Sequence, residues 1–146
     1  PLDSIENWNR IYGRSGFVQY QFILPKKESF EGLSKILKKI SNKGMGSFLA
    51  VLKLHGRENN NYLSFPMEGY SLALDFKIQK GLFSFLKELD HIILTHNGRI
   101  YLAKDSRVDK SIFEKGYPKI NHFRKFRKSQ GMIEKFKSLQ SERLGL

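Results

Sequence analysis

The sequence predicts an α+β fold, a split β-α-β-β-α-β unit whose four-stranded antiparallel sheet carries both helices on one face, followed by C-terminal helical segments. Three observations predict it. Residues alternate apolar and polar with period two over three short stretches. Two longer stretches place apolar residues on a 3.6-residue stripe. These alternate along the chain in the order the split unit requires, with no internal repeat or low-complexity linker between them.

The first strand is Gly16–Leu24, with Val18, Tyr20, Phe22 and Leu24 on one face and Phe17, Gln19, Gln21 and Ile23 on the other. Pro25 ends it. Ser29 is placed to cap a helix whose stripe is Phe30, Leu33, Ile36, Leu37 and Ile40, and Asn42, Gly44 and Gly46 break that helix. Ser47–His55 reads as the second strand, with Phe48, Ala50, Leu52 and Leu54 opposite Leu49, Val51 and Lys53. Gly56–Asn61 has no periodicity and reads as a polar loop. In the third strand, Tyr70–Ile78, Tyr70, Leu72, Leu74 and Phe76 share a face and Ser71, Ala73 and Asp75 share the other. Leu82, Phe85, Leu86, Leu89 and Ile93 make the second helix, ended at Asn97-Gly98. Arg99–Lys104 reads as a short fourth strand, and the remainder is helical in pieces broken near Gly116, Pro118 and Gly131. The 146 residues thus divide into a lead-in (1–15), a sheet-and-helix core (16–104) and a basic helical region (105–146) of one domain.

The chain carries 26 basic and 14 acidic residues, a formal charge of +12. From Lys104 to Leu146 there are 12 basic and 5 acidic residues, so more than half the excess lies in the last third. Such a field either keeps the surface solvated or attracts phosphates, nucleic acid or anionic lipid. The absence of cysteine excludes disulfides and thiolate-bound metal. His55, His91, His96 and His122 have no metal-ligand spacing, so no metal is expected. No apolar run approaches the roughly 20 residues of a membrane span. The start at Pro1, without Met or a signal pattern, reads as a fragment or processed product.

The faces of the strands select the candidate site. Those turned away from the helices collect Gln19, Gln21, Lys53, Ser71 and Ala73. Gln19 and Gln21 project their amides from one strand face roughly 7 Å apart, as solvated strand residues or as donors and acceptors for a neutral polyol or a flavin edge. Lys53 and Lys104 are, read singly, surface charges; read together with that face, they are cations able to stabilise negative charge on a bound ring or substrate oxygen. Asp75 is expected in a structural ion pair with Lys53 or Lys104. Lys119–Lys128, with Phe123 and Phe126 among Arg124, Lys125, Arg127 and Lys128, is an amphipathic helix with a wet basic back or a contact for phosphate or an anionic membrane surface. An RNA-binding module has the same topology, but the open face of strand 3 offers Ser71, Ala73 and Asp75, none able to stack a base, and the RNP1 pattern is absent.

Several strings taken in order carry a resemblance. They are Pro1-Leu2-Asp3, Trp8-Asn9-Arg10 with Tyr12-Gly13, Gln19-Tyr20-Gln21-Phe22, Ser47-Phe48-Leu49 with Lys53, Leu63-Ser64-Phe65-Pro66, Gly69-Tyr70 with Asp75-Phe76, Glu88-Leu89-Asp90, Gly98-Arg99-Ile100-Tyr101-Leu102-Ala103-Lys104-Asp105-Ser106-Arg107, Tyr117-Pro118, and Phe136, Ser138 and Ser141 with Arg143-Leu144. Together they resemble the C-terminal region of vanillyl-alcohol-oxidase-type flavoproteins, of the D-arabinono-1,4-lactone oxidase C-terminal type, and within these the oxidase subunits of decaprenylphosphoryl-ribose 2'-epimerases. The resemblance implies a substrate-side cap domain of an FAD-dependent oxidoreductase acting on a sugar alcohol, with a sugar-1,4-lactone as the alternative substrate. It implies that FAD is held mainly by a further domain of the same chain, that the substrate is a sugar or polyprenyl-phosphate sugar, and that a reductase is a partner. Lys104 matches the lysine that contacts substrate and flavin, and Gln19, Gln21 and Lys53 match pocket-lining residues. Ser71 and Ala73 stand where the mycobacterial enzymes carry Asn and Cys, and Gln130-Gly131-Met132-Ile133 replaces an Asp-Pro, so the same substrate is not implied.

Overall fold

The computed structural model describes residues 6–146, so the Pro1-Leu2-Asp3 string lies outside the described residues. The architecture is the expected one. Strands β1 (Phe17–Pro25), β2 (Ala50–His55), β3 (Gly69–Lys77) and β4 (Arg99–Ile100) form one antiparallel sheet in the order β2-β3-β1-β4. Helices α1 (Lys26–Lys43) and α2 (Leu82–Thr95) pack on one face of it. Four shorter helices follow: α3 (Lys110–Gly116), α4 (Ile120–Ser129), α5 (Met132–Lys135) and α6 (Leu139–Leu144).

The core lies between sheet and helices. Tyr20, Phe22 and Leu24 of β1 and Leu72, Leu74 and Phe76 of β3 meet Leu82, Phe85, Leu86, Leu89 and Ile93 of α2, as alternation and helical stripe predict. Backbone approach is closest at Gly69, where a Cβ would stand 2.0 Å from the Leu24 carbonyl oxygen; only glycine fits there.

α1 departs from expectation in two ways. It starts at Lys26 directly after Pro25, and Ser29 is no cap: its buried hydroxyl donates to the Leu24 and Pro25 carbonyls. The buried stripe is Ser29, Gly32, Ile36 and Ile40, with Leu33 at its margin, while Phe30 is 86% exposed and Leu37 about half exposed. Gly32 sets this rotation, since it lets α1 press onto Leu24 and His96, where a Cβ would be 2.5 Å from Leu24 Cδ1.

β2 is the outermost strand and begins at Ala50, not Ser47. The Ser47 hydroxyl and the Leu49 carbonyl both accept from the Asp75 N–H, so a side chain shares that N–H with the backbone ahead of the strand. Leu52 and Leu54 face the helix side, as predicted, but α1 lies over β1 and β3 and α2 over β1 and β4, which leaves both leucines exposed. β4 is shorter than its predicted six residues. After the Tyr101 N–H bonds to the Gln21 carbonyl, the chain turns into a 3-10 turn over Leu102–Lys104, so Lys104 stands on that turn and not on a strand.

Ile36→Ala should cost roughly 2–5 kcal/mol in urea unfolding, whereas Phe30→Ala should stay within about 0.5 kcal/mol. Equal losses at the two positions would contradict this packing of α1.

Candidate functional site

The strand register assembles the predicted residues into a grid. Residues directly opposite one another share a face. Gln21 stands opposite Ala73 and Ala73 opposite Val51; Ile23 stands opposite Ser71 and Ser71 opposite Lys53; Gln19 stands opposite Asp75. All therefore lie on the face away from the helices. Lys104 adjoins this grid beyond β1, lining a narrow cleft with Val18, Gln19, Tyr20 and Gln21.

Two aromatic groups close the ends of the face. At the Asp75 end, a 3-10 helix over Trp8–Tyr12 lays the Tyr12 ring on Phe17 (centroids 4.3 Å apart, nearly parallel), with Phe48 edge-on to Tyr12. At the Ser71 end, Ile23, Phe65 and Met67 bury one another beneath Tyr101, which lies 4.5 Å from the Phe65 ring. Between them, Gln19, Gln21, Val51 and Ala73 are half-buried and Lys53 and Lys104 exposed. The result is a shallow polar floor with apolar end walls and a lysine on each side.

Two predicted residues are not on that floor in the expected way. Ser71 is 1% exposed and its Oγ is hydrogen-bonded to His55 Nε2 at 2.8 Å, so its hydroxyl is already occupied. His55, opposite Gly69 and edge-on to Phe65, is the residue sequence reasoning missed here. Its place on an alternating strand two residues after Lys53 was the available signal. Asp75 forms no ion pair with Lys53 or Lys104. It is buried, and its carboxylate accepts from the Tyr12 hydroxyl at 3.2 Å. The register sets Asp75 well along β3 from Ser71, the residue opposite Lys53, and the lead-in covers it.

Burial, with the neighbouring Asp75 carboxylate adding to it, holds the Tyr12 hydroxyl above the ordinary phenol range. Tyr20 is shifted further in the same direction, by burial first and by Asp90 second. Burial likewise raises Tyr117, whose hydroxyl donates to the Ile100 carbonyl.

The Lys104 turn is the most heavily braced part of the site. Asp90 of α2, 1% exposed, receives both Arg107 Nη atoms at 2.6 and 2.7 Å and the Tyr20 hydroxyl at 2.8 Å. Asp105 accepts the N–H groups of Arg107 and Val108 and pairs with Arg143 at 2.9 Å, and Gln140 donates to the Leu102 carbonyl. The basic stretch is partly consumed in the same kind of work. Arg124 donates to the Leu144 and Gly145 carbonyls and pairs with Glu114, while buried Arg127 donates to the Phe136 carbonyl. Both thus serve helix C-terminal ends, and only Lys125 and Lys128 of the four remain fully outward.

Over its whole length the chain is 42% identical to the decaprenylphosphoryl-beta-D-ribose oxidase of Mycolicibacterium smegmatis. It is a relative of that oxidase. The resemblance read from the sequence is borne out at that level. A second relative is an uncharacterized protein in the mprA 5' region of Streptomyces coelicolor, 32% identical over 115 residues, 78% of this chain. The chain spans about a third of the length of each of these curated relatives, 32% and 31%. No family model matches it.

The raised phenols give a pH dependence. Each of Tyr12, Tyr20 and Tyr117 holds its proton more tightly folded than unfolded, so the associated stability is complete below pH ~10 and declines as pH rises past it. Phenolate absorbance should show Tyr12, Tyr20 and Tyr117 ionising later in the folded than in the urea-unfolded protein, with the urea midpoint falling above pH ~10. Ionisation of these three at the unfolded position would refute this.

Proposed function

We propose that this chain is the substrate-side part of a flavin-dependent oxidoreductase that oxidises a carbinol of a sugar, with a polyprenyl-phosphate pentose as the substrate class. The observation that carries the reading is the floor of Gln19, Gln21 and Ala73 between Lys53 and Lys104. The kinship with an enzyme named for decaprenylphosphoryl-β-D-ribose supplies the substrate class.

The residues present fit the ring portion of a flavin. Gln19 and Gln21 offer amide donors and acceptors on a flat strand surface, Ala73 and Val51 leave space above the sheet, and Lys104 supplies a cation at the margin. The chain has no glycine-rich nucleotide-binding fingerprint, so the reading assigns the dinucleotide part of FAD to a further domain of the same polypeptide. Bound there, a flavin would supply the two-electron acceptor for oxidation of the carbinol to a carbonyl, with the hydroxyl proton released to solvent.

The chain's own contribution is position and charge. As the hydroxyl proton leaves, negative charge grows on the substrate oxygen, and the Lys104 ammonium is a fixed cation to stabilise it. Gln19 and Gln21 orient the sugar hydroxyls. Lys53, exposed on the outermost strand, is placed to pair with a phosphate without entering the floor.

In the full-length protein, Lys104→Ala should leave the fold and the flavin absorbance intact and slow flavin reduction by decaprenylphosphoryl-β-D-ribose by more than about tenfold, measured by stopped-flow bleaching. A full-length protein that is colourless and cannot be reconstituted with FAD would overturn the reading as a whole. An unchanged rate would remove Lys104 from it.

A further inference from the structure

Lys104 is carried by a short turn rather than by a regular element, and a lysine with four rotatable carbons on a loose turn would have no defined position. The turn is not loose, however. Beyond the Gln140 amide on the Leu102 carbonyl, three connections immobilise it. Tyr101 is hydrogen-bonded to Gln21 through its backbone, which ties the start of the segment to the strand that carries the floor. Asp105 gathers two backbone N–H groups and the Arg143 guanidinium, and the other end of Arg143 donates to the Val108 carbonyl. The third connection is the strongest and the least expected. The Arg107 guanidinium lies 5.4 Å above the Tyr20 ring and is bound through both ends to Asp90, which also takes the Tyr20 hydroxyl.

Tyr20 is the link that gives this arrangement a functional meaning. It lies between Gln19 and Gln21 on β1, its side chain directed to the helix face while theirs point to the floor. The same residue therefore fixes the strand that presents the two amides and receives the guanidinium that fixes the lysine turn. Burial opposes the charge of Arg107, yet the Asp90 hydrogen bonds and carboxylate charge outweigh it and keep the guanidinium charged. A bidentate guanidinium pair also sets direction, which a single ammonium contact does not.

We infer that Asp90, Arg107 and Tyr20 form a positioning unit that holds Lys104 in register with Gln19 and Gln21, acting from the helix side of the sheet without touching the substrate. This rests on the reading of Lys104 given above. The unit deepens that reading by assigning a role in the reaction to residues buried on the opposite side of β1.

The test uses the full-length protein with decaprenylphosphoryl-β-D-ribose as probe and two variants, Arg107→Lys and Tyr20→Phe, alone and combined with Lys104→Ala. Arg107→Lys keeps a positive charge but loses the fork, and Tyr20→Phe keeps the ring and loses one bond to Asp90. Each should lower kcat, Arg107→Lys by about tenfold or more, with KM changed much less, since misplacement acts on the reacting geometry. In the Lys104→Ala background neither should lower kcat further. Equal losses in both backgrounds would mean that the unit supports the fold alone and would overturn the inference. A separate readout concerns the lysine itself. In the protein reductively methylated with 13C, the Lys104 resonance should be distinct and should shift and sharpen toward that of a freely rotating lysine in both variants, with Lys53 unmoved. An unmoved Lys104 resonance would also overturn the inference. If Lys104→Ala alone leaves kcat unchanged while the resonance still moves, the positioning unit stands and the reading of Lys104 in the reaction falls.

Discussion

A carboxylate as buried as Asp90 is costly to take from water unless its lone pairs are filled, and breaking such a pair by removing one partner costs more than the pair itself contributes. Asp90 is placed on the core stripe of α2, among Leu86, Leu89 and Ile93, where any unpartnered charge would disrupt packing. Its partners come from far along the chain, Tyr20 from the first strand and Arg107 from beyond the last. The helix can therefore bury its stripe only when β1 and the 102–108 segment are both in place. Packing of the core and placement of the lysine turn are thereby one event, and the turn inherits the rigidity of the helix beneath it.

The open face follows a complementary rule. A sheet covered on one side alone must present a surface tolerant of water on the other. Here the two ends of that surface are closed by aromatic groups drawn from outside the sheet, the 8–12 helix at one end and the 65–67 segment at the other. What they cover is informative. Asp75 and Ser71, the two polar β3 side chains that would otherwise compete for a ligand, are turned into structural groups by Tyr12 and His55. Ala73, between them, carries no polar atom to satisfy. The floor is thus left to two neutral amides on β1, with positive charge at its flanks and the one carboxylate of β3 hidden beneath a phenol.

The strand and helix plan was legible because it rests on local periodicity, and α2, β1 and β3 follow it residue by residue. The grouping of Gln19, Gln21, Lys53, Ser71 and Ala73 on one face was legible for the same reason, since alternation fixes which side chains share a face before the neighbour is known. What was not legible depends on contacts distant in sequence. Asp75 sits 63 residues from the Tyr12 that engages it, and no pattern in β3 announces that partner. The choice between Phe30 and Gly32 as the inward side of α1 turns on a close approach to Leu24, which a count of apolar residues cannot weigh. The Arg99–Lys104 stretch opens with strand formers at Ile100 and Tyr101, yet the hydrogen bonds of Asp90 and Asp105 to the residues just after it accompany a bend off the sheet.

The charge of the chain takes on a different meaning once these partners are known. The basic C-terminal region resembles a surface for anions when read along the sequence, but its four arginines are spent internally. Arg107 and Arg143 are committed to Asp90 and Asp105, Arg124 to Glu114 and two carbonyls, and Arg127 to the carbonyls that follow α4. Arginine performs these tasks because its planar fork can satisfy a carboxylate or two carbonyls at once. The lysines flanking the floor are of the other kind. Lys53 and Lys104 have no carboxylate partner among the described residues and stand on either side of uncharged amides. A fixed arginine scaffold beneath and free ammonium groups above is a division of labour by chemistry. The guanidinium groups determine where the chain goes, and the ammonium groups are left without a carboxylate among the described residues.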